Sequence, residues 1–310
     1  MKIDIHAHEF PENYLREIHR MVERGEFPEV AETLTPWRID DHLALMEREG
    51  VDMQVLSLAA ARYVEDRPQA RALARMVNEA FADAAAKHPG KFVAFACVPL
   101  AFVDDGIAEL EHAVGTLGMR GLILGTNVAG KPLNAPELRP FFETVNRMKL
   151  PVLIHPMYPD WPESYSDYRL DLWLGWPYET THAVSRMILS GMFDDFPDFP
   201  LIVSHLGANL HYMCERIGNA SHLGSAKAGV MEYLRRFYYD TAGPVPAAAV
   251  GCALEMFGSG KILFGSDAPF GPGHGEAFIR KGIACIEDQA RGGEEKEAMF
   301  SGNARGILGL

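Results

Sequence analysis

Two histidines separated by one residue end a short apolar run, "KIDIHAH", near the start of the sequence. Residues i and i+2 of a β-strand point to the same side, so His6 and His8 are predicted to stand side by side. Packing alone rarely requires two adjacent imidazoles in a soluble protein. Their type and spacing instead indicate a transition-metal site, because neutral imidazole nitrogens are common metal ligands.

Three further polar residues end other apolar runs. His155 follows "PVLI", His205 follows "LIVS", and Asp267 follows "ILFGS". Taken singly, each histidine is most simply explained as a hydrogen-bonded residue at the rim of the fold. Asp267 is most simply explained as an aspartate in a turn. Taken together, they favour one divalent ion. Three imidazoles and a carboxylate suit Zn²⁺ best, with Mn²⁺, Fe²⁺ or Co²⁺ as alternatives, so one of the four histidines must have another role.

The elements that must position these residues are short apolar runs alternating with helical patterns. The predicted strands are "KIDIHAH", "DMQVLSL", "FVAFACVP", "GLILGT", "PVLIHP", "LIVSHLG", "RFYYDT" and "KILFGSDAP". Most are uniformly apolar, as expected of parallel strands covered on both faces. The pattern predicts an α/β fold, a (β/α)₈ TIM barrel with long insertions after strands 1 and 5 and a helical C-terminal extension. A doubly wound open sheet is the alternative.

Composition restricts the function classes. The 310 residues, 48% of them hydrophobic, are expected to form a single barrel domain over 1–310. The net charge of -13 argues against binding to nucleic acid or to an anionic membrane. The four cysteines are widely spaced, and the longest apolar run is too short to span a bilayer, so we expect a cytoplasmic protein. The sequence contains neither GxGxxG nor GxxxxGK[ST], which argues against dinucleotide and P-loop binding.

The stretches "IDIHAHEFP", "KLPVLIHP", "LIVSHLGANL", "YYDTAG" and "ILFGSDAPF" resemble, in this order, the amidohydrolase superfamily. The resembled branch contains aminocarboxymuconate-semialdehyde, resorcylate and vanillate decarboxylases. The resemblance implies that His6, His8, His155 and Asp267 bind the metal, and that His205 is the adjacent acid/base residue. Many members bridge two metals with a modified lysine at the end of strand 4. Here "GLILGT" has no lysine, which favours a single ion.

A reaction follows from the resemblance. A divalent ion lowers the pKa of bound water and polarises a substrate oxygen. With His205 and Asp267 as the catalytic residues, the resemblance implies a decarboxylase of a small unsaturated or aromatic carboxylic acid. A lactone or amide hydrolase on the same fold is the first alternative. A barrel that binds a small molecule without catalysis is an alternative of another class.

The resemblance also implies how the substrate is held. In the resembled decarboxylase an arginine just beyond the strand-6 motif reaches the partner subunit's pocket. Arg216 matches it, which predicts a homodimer, although a solvated helix residue is an equal interpretation. A second arginine of that enzyme has no counterpart, and Arg38 and Arg62 are the candidate replacements. Trp176 belongs to an aromatic cluster after strand 5 that either packs this insertion or covers an aromatic substrate.

Overall fold

Eight parallel strands form the centre of the protein in a computed structural model that describes residues 1–26, 37–59, 64–159 and 165–310. Each strand pairs with the next one along the chain, as predicted. The strands are β1 Ile3–His8, β2 Met53–Ser57, β3 Phe92–Ala96, β4 Gly121–Gly125, β5 Val152–His155, β6 Leu201–Val203, β7 Tyr238–Asp240 and β8 Ile262–Leu263.

Hydrogen bonds between β1 and the segment at the end of β8 close the barrel. The backbone N–H of Ile5 donates to the carbonyl of Phe264 at 2.9 Å, and that of Asp267 donates to the carbonyl of His6 at 2.8 Å. Because first and last strands meet, the predicted TIM barrel is confirmed and the open-sheet alternative is wrong.

Helices surround the barrel. They are α1 Glu12–Glu23, α2 Ile39–Glu49, α3 Arg67–Lys87, α4 Val103–Gly115, α5 Arg139–Met148, α6 Trp176–Leu189, α7 Met192–Asp195, α8 Leu210–Gly218, α9 Val230–Leu234, α10 Ala247–Phe257, α11 Glu276–Gln289, α12 Gly293–Glu297 and α13 Asn303–Leu308. The Asp66 carboxylate caps α3 by accepting from the backbone N–H of Gln69, and Pro68 occupies its first turn. The last two helices form the predicted C-terminal extension.

Side chains fill the interior of the barrel. They come from all the strands except β7, with two more from α13, and are Ile3, Ile5, Met53, Val55, Phe95, Ile123, Leu153, Ile202, Leu263, Ala304 and Leu308. A second and larger core lies between the outer faces of the strands and the helices. Because the interior is packed with apolar atoms, polar chemistry is confined to the mouth at the carboxyl ends of the strands.

An irregularity in β1 turns its histidines toward the mouth. The pairing of β1 with β2 shifts by one residue between Asp4 and Ala7, so that Asp4 lies opposite Gln54 and His8 lies opposite Ser57. Such bulges re-aim side chains beside active sites. The shift places the apolar start of the strand in the core and its polar end beside Ser57.

None of the helices in the described part of the chain combines the length and apolarity needed to cross a membrane.

Candidate active site

The five residues predicted to carry chemistry meet at the mouth of the barrel. His6, His155, His205 and Asp267 each offer a possible ligand atom within 4.8 Å of the others. His8 joins the cluster through its Nε2 atom, which lies 2.9 Å from His6 Nε2 and 3.1 Å from Asp267 Oδ1. The structure therefore brings all five together, with more potential ligands than a single tetrahedral site needs.

The ring orientation of His6 and His155 is fixed by acceptors at Nδ1. His6 Nδ1 lies 2.8 Å from the Asp240 carboxylate, and His155 Nδ1 lies 2.9 Å from the carbonyl oxygen of Pro156. A carboxylate and a carbonyl only accept, so each Nδ1 carries a proton, and in the neutral ring each Nε2 has a lone pair for a metal. This is the arrangement in which protein histidines bind metal through Nε2.

His8 is oriented in the same way by Ser57. The Ser57 hydroxyl donates to the carbonyl of Ala7 at 3.0 Å, so it accepts from His8 Nδ1, also at 3.0 Å. The Nε2 atoms of His6 and His8 then face each other at 2.9 Å, a contact that either a proton on one of them or a shared metal ion stabilises. His155 Nε2 is buried and has no hydrogen-bond partner among the described residues. These residues fit a divalent ion.

Burial and neighbouring charges favour the protonation states that a metal requires at three of these residues. At His6, burial alone would lower the pKa, but the charge and hydrogen bond of Asp240 outweigh it and raise this pKa to about 8, so a metal would displace a proton there. Burial lowers the pKa of His8, and it lowers that of His155 well below the usual value. Burial alone would raise the pKa of Asp267, but the neighbouring imidazoles of His205 and His8 outweigh it and hold that pKa well below its usual range. The site thus favours neutral imidazoles at His8 and His155 and an ionised carboxylate at Asp267.

The sequence had suggested that His205 lies at the end of a strand, but it lies in a strained turn. Strand β6 ends at Val203, and positive φ angles follow at His205 (53°), Leu206 (57°), Gly207 (76°) and Ala208 (54°). Backbone strain of this kind persists where the surroundings hold it and is frequent at functional sites. Asp240 helps to hold this turn in place, because its second carboxylate oxygen accepts a hydrogen bond from the His205 backbone N–H at 2.8 Å.

The side chain of His205 is the member of the cluster most open to the mouth. It is 18% exposed, whereas the side chains of His6 and His8 are fully buried. Its Nε2 lies 3.6 Å from Asp267 Oδ2. This position beside the cluster, with access to a ligand, is suited to proton transfer.

A buried network behind the site supports Asp267. The Asp4 carboxylate accepts from the Ser266 hydroxyl at 2.6 Å and from Gln54 Nε2 at 3.0 Å, and Gln54 Oε1 accepts from His42 at 2.9 Å. Burial raises the pKa of Asp4 to about 6 despite these bonds. Sequence reasoning missed the role of this network, although Asp4 stood out as an acid inside an apolar run.

The aromatic insertion after β5 contributes Trp176 to the site. The Trp176 ring lies 5.6 Å from the ring of His155 and 5.3 Å from that of Tyr158. Arg169, which the sequence analysis did not select, donates to the Tyr158 hydroxyl at 2.8 Å. Trp161 of the same insertion lies outside the described residues.

Two of the three arginines selected from the sequence lie outside the cluster. Arg38 is exposed at the start of α2, and Arg216 is exposed on α8. Neither forms an ion pair with another residue in the described part of the chain. Arg62 lies outside the described residues. Their roles in substrate binding stay predictions.

With the geometry established, comparison with known proteins gives the class. The sequence profile of the amidohydrolase family matches residues 3–310, so the chain belongs to this family. The chain is 28% identical to 2-amino-3-carboxymuconate-6-semialdehyde decarboxylase of Dictyostelium discoideum, over 100% of this chain and 92% of that protein. It is 33% identical to gamma-resorcylate decarboxylase of a Rhizobium species, over 74% of this chain and 76% of the relative.

A solved structure supports the same assignment. Dihydroxybenzoic acid decarboxylase from a Polaromonas species, with bound manganese and the inhibitor 2-nitroresorcinol, superimposes with a TM-score of 0.81. It is 26% identical, and the match covers 100% of this chain and 97% of that chain. The superfamily predicted from the strand-end motifs is therefore confirmed.

Proposed function

We propose that this chain is a decarboxylase of a small aromatic or unsaturated carboxylic acid and that it uses one divalent metal ion. The observation that carries the proposal is the convergence of Nε2 atoms from His6, His8 and His155 on the carboxylate of Asp267. The decarboxylase relatives favour this reaction over hydrolysis of a lactone or amide. They equally favour an enzyme over a barrel that only binds its ligand.

The proposed ligands are His6, His8, His155 and Asp267, and zinc is the proposed ion because neutral imidazoles and a carboxylate suit it. Manganese is the alternative, supported by the manganese in the Polaromonas structure. When bound, the ion supplies a positive charge that orients the substrate and polarises its oxygen atoms. A single ion is proposed because the end of strand β4 has no lysine that could bridge two metals. Lys131, which lies beyond that end, forms an ion pair with Glu137 at 2.9 Å.

His205 is the proposed proton donor and acceptor, with Asp267 beside it. A proton is delivered to the substrate carbon that carries the carboxylate, using an electron pair of the ring or double bond. The bond to the carboxylate carbon then breaks, its electron pair restores the unsaturation, and CO₂ leaves. The net reaction thus converts the substrate carboxylate and one proton into the decarboxylated product and CO₂. The exposure of His205 and its 3.6 Å separation from Asp267 support this role.

The proposed assembly is a homodimer in which Arg216 reaches the partner's pocket. Two large apolar side chains close to it in the chain are unusually exposed: Tyr212 on α8 is 83% exposed and Leu223 is 79% exposed. Tyr178 on α6 is 51% exposed, and α6 packs against α8. Exposed apolar groups around an arginine support a protein interface on this side.

Residues 1–310 are proposed to act as one catalytic domain in the cytoplasm. The four cysteines, all of which lie in the described part, form no disulfide with one another, which supports a reducing compartment. The net charge of -13 supports a small-molecule substrate over a nucleic acid.

The activity test uses protein expressed with added zinc or manganese and incubated with 2,6-dihydroxybenzoate, salicylate and the lactone dihydrocoumarin. We expect CO₂ release from an acid, which a chelator abolishes. The variant His205→Asn should keep the metal and lose about 100-fold in kcat, the usual scale for an acid/base residue. His222→Asn, at an exposed histidine, is the control. A ring-opened acid without CO₂ would support the hydrolase, and metal-loaded protein that binds these compounds without turnover would support the non-catalytic barrel.

A further inference from the structure

A polar contact joins the two ends of the insertion between β5 and α6. Tyr158 lies just after the proposed ligand His155, and Arg169 lies just before the turn that leads into Trp176. The Arg169 guanidinium donates to the Tyr158 hydroxyl at 2.8 Å, and its Nε lies 3.5 Å from Asp171 Oδ1. The insertion is therefore closed on itself directly beside the metal-ligand cluster.

The same contact stands at the end of a series of aromatic rings that begins at the cluster. The Tyr158 ring lies 5.3 Å from the Trp176 ring, which lies 5.6 Å from the ring of His155. Both pairs meet edge to face, a geometry in which aromatic contacts are stabilising. The Trp176 indole N–H is buried and has no hydrogen-bond partner among the described residues, so it is available to an oxygen atom of a bound ligand.

Packing holds little of the segment from 165 to 174 that precedes Trp176. Its large apolar side chains are all exposed, namely Tyr165, Tyr168, Leu170, Trp173 and Leu174. Yet its backbone is unusual, since φ is 58° at both Tyr168 and Arg169, and the next turn, Asp171–Gly175, is π-helical. Such conformations persist where the surroundings hold them, and they are frequent at functional sites. The polar contacts of Arg169 therefore carry an important part of this hold.

We propose that Arg169 and Tyr158 are positioning residues for substrate binding, because their hydrogen bond holds the Trp176 ring against His155 as one wall of the substrate site. The assignment rests on the proposed function, since it takes the substrate to lie beside the cluster. Arg169 touches Tyr158 and not the reacting atoms. Its loss should weaken substrate binding and leave kcat nearly unchanged, as for an interaction made equally in the ground state and the transition state.

The binding test is a double-mutant cycle with Arg169→Ala, Tyr158→Phe and the double variant, all loaded with metal. Each single variant should raise the dissociation constant of 2,6-dihydroxybenzoate about 2- to 10-fold, the range that one aromatic contact contributes. The double variant should bind no more weakly, because both substitutions break the same hydrogen bond. Arg169→Lys, which still donates, should restore part of the affinity. Arg147→Ala, at an exposed arginine paired with Glu111 at 3.1 Å, is the control.

A fluorescence test examines the positioning without any substrate. Trp176→Phe, introduced into each of these proteins, gives the emission of Trp176 by difference. We expect acrylamide to quench this emission more strongly in Arg169→Ala and Tyr158→Phe than in the unchanged protein or in Arg147→Ala. The reason is that the indole is then no longer held in its buried position against His155.

The outcomes separate the two claims. Unchanged quenching of Trp176 would overturn the positioning, whichever acids bind. If the acid loses CO₂ but its affinity does not respond to Arg169→Ala, the positioning is wrong and the proposed function stands. Additive losses in the double variant would also overturn it, because they would show that Arg169 contacts the substrate directly. If quenching rises but none of the acids binds or loses CO₂, the proposed function fails, and the wall of the substrate site fails with it.

Discussion

At the scale of single residues, the site is a set of histidines whose Nδ1 protons are held by acceptors, and for His6 that acceptor is distant in the chain. His6 and Asp240 are 234 residues apart in the chain, yet their side chains meet at 2.8 Å. The sequence predicted which histidines meet, because strand-end positions converge in a parallel barrel. It could not show that Asp240 orients His6, because that depends on how the ends of strands β1 and β7 meet across the mouth.

Asp240 should therefore control metal affinity without being a ligand. In Asp240→Asn an amide replaces the carboxylate that accepts from His6 Nδ1 and from the His205 backbone. We expect metal affinity to fall about 10- to 100-fold, the usual effect of losing such a partner. Competition against a fluorescent chelator measures it. Asp198→Asn, at an exposed aspartate, is the control, and equal affinity in the two variants would exclude the role.

At the scale of elements, each of the eight apolar runs contains one of the eight strands, but the strands before His205 and Asp267 end earlier than predicted. The regular strand in "LIVSHLG" ends at Val203, and that in "KILFGSDAP" ends at Leu263, although the latter segment still bonds to β1 as far as Ala268. Apolar residues in a sequence indicate burial, and Leu206 and Ala268 are buried beyond the ends of these strands, so the pattern does not show where φ becomes positive. The residues just beyond these strands include His205 and Asp267, which is where function overrides local preference.

Gly207 should be essential to the turn that carries His205. Its φ is +76°, and an added Cβ would lie 2.8 Å from the Tyr239 ring. Gly207→Ala should therefore lower the free energy of unfolding by about 1–3 kcal/mol and reduce turnover, because both the backbone and the packing must shift. Thermal unfolding and kcat report this. Gly115→Ala, where a Cβ meets nothing within 4 Å, should leave both nearly unchanged, and an equal effect of the two substitutions would refute the account of the turn.

At the scale of the whole molecule, the barrel core is independent of the ion, because the apolar interior layer lies below the mouth. The sequence predicted the architecture from strand number and order. It could not establish the assembly, which depends on which exposed groups a second copy covers. Arg216 is exposed in the isolated chain, which is expected both of a solvated surface residue and of a residue that reaches a partner subunit.

Subunit mixing separates those interpretations. A charge-assisted pair to a substrate carboxylate contributes about 1.5–3 kcal/mol, so Arg216→Ala should lower kcat/KM roughly 10- to 100-fold. Mixing Arg216→Ala with His205→Asn subunits should restore part of the activity, because some heterodimers hold one intact shared site. Full activity in a protein that sediments as a monomer, or no recovery despite proven subunit exchange, would leave Arg216 as a surface residue.

The most direct test of the central claim is an anomalous difference map from crystals of metal-loaded protein, collected at the absorption edge of the bound metal. The account predicts one peak at the barrel mouth, bonded to Nε2 of His6, His8 and His155 and to the Asp267 carboxylate, with His205 outside bonding distance. A map without a peak there, or with His205 bonded in place of His8, would contradict it.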